Sequence, residues 1–291
     1  MSRGLGDVYK RQFLSFANSV YVPSLRRLEE QIRCCPLINE FHFLTNKDLD
    51  KEFRKDFHPY IYRRGYGYWK WKSYLVKQQF DKMEEGDIII YADAGCDYNA
   101  KAIDRLKKYL EIASTHESGI LVFEDNYKEN QLTKGDIFQF FMGTNSSAIS
   151  ETNQRWAGMF IMRKCTNTVK LVDEWVNICM NHYNLITDKA SIVSNYPEFI
   201  ENRHDQSVFS ILTKLHEAFA FSPLELSKQN FNNVPFLPTR HKVKSRWTDF
   251  RRKLLLPYRY LLGLYLRKVK GFYFKDRFCL LYTSPSPRDT R

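Results

Sequence analysis

Five apolar residues in an unbroken row, Ile88-Ile89-Ile90-Tyr91-Ala92, give way at once to Asp93-Ala94-Gly95-Cys96-Asp97. A β-branched run without polar alternation predicts a strand covered on both faces, as inside an α/β sheet. Such sheets collect ligands outside the carboxyl ends of their strands. Two carboxylates beside a glycine at that end suit a metal or phosphate site. The residues before the strand set it up. Trp69, Ser73, Val76, Phe80 and Met83 recur at helical spacing and predict one buried stripe. Glu84-Glu85-Gly86-Asp87 stops that helix, with Gly86 free to take left-handed backbone.

The rest of the chain alternates in the same manner. Residues 13–17 read as a strand, Pro23 opens a helix through Arg33, and residues 41–44 read as a second strand. Strand, helix and strand at this spacing predict a βαβ unit and parallel pairing. Residues 48–60 are charged and are expected on the surface. Ala102, Ile103, Leu106, Tyr109, Leu110 and Ala113 mark an amphipathic helix, and residues 119–123 a buried strand closed by Glu124-Asp125-Asn126. Residues 136–141 are ambiguous. Residues 159–162 read as a strand, followed by a helix with Val172, Trp175, Val176 and Cys179 on one side. A last helix follows Asn202-Arg203-His204-Asp205-Gln206, with Val208, Ile211, Leu212 and Leu215 turned inward. The fold class expected is α/β, a Rossmann-like, mostly parallel sheet flanked by helices.

GYGYWKWKSYL, followed by GDIIIYADAGCDYN and later by NRHDQS, resembles the GT-A-fold nucleotide-sugar glycosyltransferases of bacterial and viral surface-polysaccharide synthesis. The resemblance runs loosely from about residue 13 to 244. In that fold a strand ends in an Asp-x-Asp motif that holds a divalent ion and the sugar nucleotide. Here Gly95 occupies the third position, which leaves Asp97 to share the work with Asp93. The resemblance implies a hexosyltransferase with a nucleotide-sugar donor and a glycan or lipid-linked glycan acceptor. It implies Mg or Mn held by Asp93 and Asp97, with His241 reaching the ion as a late histidine does in some relatives. Ala94 and Gly95 would then lie along the donor, and Trp156 and Gly158 on the acceptor side. NRHDQS resembles the segment that lines the sugar pocket. It makes Asp205 the candidate catalytic residue, holding sugar hydroxyls, stabilising an oxocarbenium-like state or serving as base for the acceptor hydroxyl, with Arg203, His204 and Gln206 beside it on the acceptor side.

Chemistry supports these residues and also offers plainer roles. Charge develops on the departing diphosphate, and a carboxylate-held divalent ion can act there as Lewis acid. Asp93 could equally cap a turn and Asp97 begin the next helix, and Asp205 could be the N-cap of its helix. Arg63, Arg64, Lys70 and Lys72 are candidates for the donor diphosphate, since guanidinium in particular matches phosphate geometry; solvent-facing cations are the alternative. Gly65 and Gly67 would let backbone approach a ligand. Tyr66, Tyr68, Trp69 and Trp71 could stack on base or sugar, although the spacing puts Trp69 on the core stripe. For His241 the alternative is a solvated loop.

The net charge of +12 is unevenly spread. Residues 240–278 carry thirteen Lys and Arg against Asp249 and Asp276, leaving residues 13–239 slightly acidic. That confines any basic footprint to the tail. Cations interleaved with Trp247, Phe250, Tyr258 and leucines suit an anionic membrane surface. Residues 245–278 are accordingly expected to dock there, with no nucleic acid expected as partner, although nucleic acid would suit the same pattern. A sugar-phosphate nucleotidyltransferase is the alternative enzyme; it would open with a basic, glycine-rich phosphate loop, and none follows residues 13–17. Cys34, Cys35, Cys96, Cys165 and Cys179 form no CxxC and read as reduced thiols. With no signal peptide and no run of eighteen apolar residues, a cytoplasmic protein, peripheral on the inner membrane face, is expected. Residues 1–12 and 279–291 read as translated sequencing adapter: Asp7–Gln12, taken from the opposite DNA strand one frame over, gives the Cys279–Ser284 sequence. Domain bounds of 13–243 for the catalytic body and 244–278 for the tail follow.

Overall fold

The computed structural model describes residues 9–57, 64–143 and 147–245, together with Leu261 and Tyr265. Arg63 and nearly all of the basic tail lie outside the described residues. The strands are β1 (Arg11–Ala17), β2 (Glu40–Thr45), β3 (Ile88–Ala92), β4 (Asp97–Tyr98), β5 (Ile120–Lys128), β6 (Asn153–Arg155), β7 (Met159–Arg163), β8 (Phe219–Phe221) and β9 (Phe236–Leu237). The longer helices that pack on them include α1 (Val22–Ile32), α2 (Lys70–Phe80), α3 (Ile103–Thr115), α4 (Thr166–Asn181) and α5 (Asp205–Leu215).

The main sheet runs β2-β1-β3-β7-β5, with β6 and β8 also on β5. β1 pairs in parallel with both β2 and β3, and β5 with β8. β7 is antiparallel to β3 and β5, and β6 is antiparallel to β5. Five of the seven described strands therefore point one way, and the expected α/β class is the one observed. Neither reversed strand, β6 or β7, was foreseen. Residues 159–162 are apolar on both sides, and nothing in such a pattern encodes direction.

The alternation along β3 separates two cores. Ile89 and Tyr91 face Val76 and Phe80 of α2, Trp175 of α4 and Phe209 of α5. Ile88, Ile90 and Ala92 face Leu28 and Ile32 of α1 and Leu106 and Leu110 of α3. Burying a large aliphatic side chain is worth about 1.5–3 kcal/mol, so a strand covered on both faces is pinned in register. β3 is the floor on which the site stands.

Several local expectations shift. Residues 48–60 are not merely a charged surface: Leu49, Phe53 and Phe57 are buried against Trp71 and Leu75. α2 is consequently buried on two sides, and Trp69 precedes it rather than lying on its stripe. β5 continues through Glu124 and Asp125 to Lys128, where it pairs with β6. Residues Gly135–Met142 are helical. Leu215, expected inward, is half exposed at the end of α5. β1 begins at Arg11, and Lys10 bonds through its carbonyl to Ile88, so residues 10–12 belong to the folded body. Among the described residues no helix is long and apolar enough to cross a membrane.

Candidate active site

The site begins where two neighbouring strands stop being regular. β3 ends at Ala92, and the next amide, Asp93 N–H, donates to Gly158 O at 2.8 Å. On the facing strand, Trp156-Ala157-Gly158 interrupts the run between β6 and β7. A Cβ on Gly158 would fall 2.2 Å from the Trp156 indole, so only glycine lets that ring fold back there. The interruption leaves a notch in the strand ladder beside Asp93, where the Ala157 carbonyl accepts from Lys72.

Lys72, in the first turn of α2, fills the notch. Its ammonium lies 3.2 Å from Asp93 Oδ1 and 3.6 Å from Asp205 Oδ2, and donates to Ala157 O at 3.0 Å. The Lys72 side chain is 3% exposed. Burial alone would discharge it, but the two carboxylates outweigh burial and hold its pKa above the usual lysine value. Tyr91, two residues before Asp93 and so on the same face of β3, donates its phenol to Asp93 Oδ1 at 2.8 Å.

Asp205 opens α5 and is nearly sealed from solvent. It does not cap the helix: the N-cap position is His204, and no side chain caps it. Asp205 Oδ2 has no hydrogen-bond partner among the described residues. Burial first, and then the charge on Asp93, push its pKa up to about 7, against the pull of Lys72. One lysine thus sits between two acids, one of which holds its proton near neutrality.

His204 has φ 61° and ψ −124°, a strained backbone for a residue with a Cβ. Its ring is flanked by Tyr68 and Trp69, with centroids 4.9 and 5.5 Å away. The carbonyl of Ile186 lies 2.8 Å from Nδ1 and accepts from it, which leaves the lone pair on Nε2, a buried atom 3.6 Å from Asp188 Oδ1. Nε2 has no hydrogen-bond partner among the described residues. Burial, followed by the Arg64 charge, holds the imidazole neutral, with its pKa pushed down to about 3.

Tyr68 and Trp69 reach His204 because residues 65–69 form a left-handed turn. All five have positive φ, and Tyr68 N–H to Arg64 O and Trp69 N–H to Gly65 O close two four-residue bonds. Left-handed backbone costs a residue with a Cβ about 1–2 kcal/mol, and Tyr66, Tyr68 and Trp69 all adopt it. Strained backbone of this kind clusters at active sites and ligand clamps.

The other expected residues divide. Arg64 is bound to Asp188 at 3.0 Å and Glu201 at 2.8 Å, and Arg203 to Glu201 at 2.6 Å. Lys70 lies over the Tyr183 ring instead of joining Lys72. Gln206 sits beside Asp205, its Oε1 3.4 Å from the Ala157 amide. Ala94 and Gly95 are pinned by Arg27, which donates to Ala94 O and Cys96 O, and by residues 239–241, which fold over them.

The proposed metal set is not assembled. Asp97 Oδ1 accepts from Gln31 at 3.0 Å and lies 3.1 Å from Arg27 Nε; Oδ2 accepts from Thr239 at 2.5 Å. Despite burial, these partners hold Asp97 below the usual carboxylate range. His241 is 3.6 Å from Asp97, whereas Asp93 is engaged by Lys72 and Tyr91. Among the described residues no three His, Cys, Asp or Glu side chains group so as to hold an ion. An ion at Asp97 would have to displace Arg27, so this donor set does not fit a divalent cation as it stands.

Tyr91 and Ala157 escaped the sequence reading. Tyr91 was legible in principle, through the two-residue strand period that puts it on Asp93's face. The Ala157 carbonyl was not, because a strand interruption has no residue signature of its own.

No protein-family model matches the chain, and no curated protein matches it in sequence. Among solved structures it is similar to a glycosyltransferase involved in the glycosylation of the major capsid of PBCV-1. The identity is 9%, over 78% of this chain and 92% of that one, with a TM-score of 0.43. It is also similar to mouse xyloside xylosyltransferase 1 in its apo form, at 12% identity over 74% of this chain and 84% of that one, with a TM-score of 0.37.

Proposed function

We propose that this chain is a glycosyltransferase that moves a sugar from a nucleotide-diphosphate donor to an acceptor hydroxyl. The observation that carries the reading is the Asp93–Lys72–Asp205 cluster at the carboxyl end of the central strand. Three buried or half-buried charges converge there beside an interrupted strand and a strained aromatic turn. Open α/β sheets bind ligands at this position, and the resemblance carried by GYGYWKWKSYL, DAGCD and NRHDQS supplies the reaction class.

In this mechanism the sugar lies over the notch, against Tyr68, Trp69 and His204. The lone pairs of half-buried Asp93 accept hydrogen bonds from sugar hydroxyls, which selects a polyhydroxylated ring. Asp205, ionised above about pH 7, is the base. The bond from the anomeric carbon to the diphosphate breaks, the bond to the acceptor oxygen forms, and the acceptor proton passes to Asp205. Lys72 holds the two carboxylates apart without neutralising either permanently. Arg64 and Arg203, paired with Asp188 and Glu201, are the arginines beside the strained turn and α5 that an anionic donor would meet. No step is assigned to Mg or Mn, because Asp97 is already engaged by Arg27, Gln31 and Thr239.

The acceptor class, a glycan or lipid-linked glycan of surface polysaccharide, belongs to this proposal through the resemblance. So does docking of residues 245–278 on an anionic membrane at its cytoplasmic face. The test is release of nucleoside diphosphate from a panel of nucleotide sugars, with Asp93→Asn and Asp205→Asn as controls. Loss of release in both, with the fold retained by circular dichroism, supports the reading. Equal release by wild type and both variants overturns it.

A further inference from the structure

A second polar chain runs from the interior to the same notch. Gln154, on β6, is completely buried, as is Glu129, which opens the short helix after β5. Gln154 Nε2 donates to Leu132 O at 3.2 Å, with Thr133 Oγ1 at 3.3 Å, Ser207 Oγ at 3.4 Å and Glu129 Oε2 at 3.5 Å around it. Gln154 Oε1 accepts from Gln206 Nε2 at 2.6 Å. Gln206 Oε1 in turn faces the Ala157 amide at 3.4 Å. The opposite side of that residue, Ala157 O, is the acceptor for Lys72.

The direction of this chain is fixed at both ends by backbone groups that cannot reverse. Leu132 C=O only accepts and Ala157 N–H only donates, so each amide between them has one permitted orientation. The Glu129 carboxylate reinforces the inner end. Lys214 Nζ lies 2.5 Å from Glu129 Oε1, and Thr133 donates to Oε2 at 2.7 Å.

We infer that Gln154 is a positioning residue for the reaction: it holds Gln206 with its carbonyl oxygen, not its amide nitrogen, turned toward the notch beside Asp205. A carbonyl there offers a lone pair to a hydroxyl of the bound sugar or acceptor, whereas an amide nitrogen would offer a proton and compete with Lys72. The inference rests on the proposed reaction for its kinetic consequence but not for its geometry. That allows the two to fail separately.

Gln154→Met keeps the volume and removes the side-chain hydrogen bonds of Gln154. In protein labelled with [15N]glutamine, the Gln206 side-chain amide, identified by its loss in Gln206→Met, is expected to exchange with solvent slowly in the wild type. In Gln154→Met it should exchange about tenfold faster or more, the equivalent of losing one net hydrogen bond. If wild type releases nucleoside diphosphate, Gln154→Met should lower kcat about tenfold or more, with KM for the nucleotide sugar changed by less than about threefold. A merely structural Gln154 would instead lower thermal stability and leave kcat per folded molecule intact. Unchanged Gln206 exchange in Gln154→Met, or kcat unchanged where turnover is measurable, overturns the inference. Absence of turnover in the wild type overturns the transferase reading alone, and the exchange measurement still decides the positioning.

Discussion

Asp205 and Asp97 show how differently two carboxylates near one sheet edge can be used. Asp205 is buried, lacks a hydrogen-bond partner at Oδ2 and is raised to about 7; Asp97 is braced by three residues and lowered. The sign of the pH dependence follows. Between the unfolded carboxylate range and about pH 7, folded Asp205 keeps a proton that the unfolded chain has released. The folded state therefore loses stability as pH rises through that window. Denaturant titrations of wild type from pH 4 to 8 should show this loss, and Asp205→Asn should flatten it. Turnover should rise through about pH 7 as Asp205 ionises. Asp97→Asn makes the opposite pairing of effects. It leaves Arg27 short of an anionic partner and should cost about 1–3 kcal/mol of stability, while activity falls less than tenfold. A collapse of turnover with stability unchanged would return Asp97 to the reacting site.

At the scale of elements, the strained turn and the interrupted strand matter most. Gly67 has φ 89°, and a Cβ there would lie 2.6 Å from the Phe57 ring. Gly67→Ala should therefore destabilise the protein by more than about 1 kcal/mol, and chemical denaturation measures it. Because Tyr68 and Trp69 would lose their positions against His204, donor KM should rise in the surviving folded enzyme. The elements themselves were largely legible. The row Ile88-Ile89-Ile90 identified β3, and the spacing of Leu106, Tyr109, Leu110 and Ala113 identified α3, because burial on one or both faces leaves a periodic record. The turn at residues 65–69 was visible only as two glycines among aromatics. Tyr66 and Trp69 adopt left-handed backbone against their own preference, which local patterns do not report. Trp69 was assigned to a helical stripe for that reason, and it lies instead on His204.

For the whole molecule, the two cores on either side of the sheet hold the notch rigid. Trp175 is fully buried between Phe160 and Phe209, with ring centroids at 6.1 and 4.8 Å. Trp175→Ala should cost about 3–5 kcal/mol, and a fall in thermal midpoint without a change in the pH profile would mark it as scaffold. The fold class followed from alternating strands and helices, whereas the direction of β7 did not, since pairing sense depends on how distant segments meet. Asp93 and Asp205 were found from sequence, yet the contact that unites them through Lys72 spans elements more than a hundred residues apart. The most direct test of the account is nucleoside diphosphate release from a nucleotide-sugar panel by wild type and by Lys72→Met, both verified as folded. The account predicts release by wild type, rising through about pH 7, and at least a hundredfold loss in Lys72→Met; equal release by both proteins would contradict it.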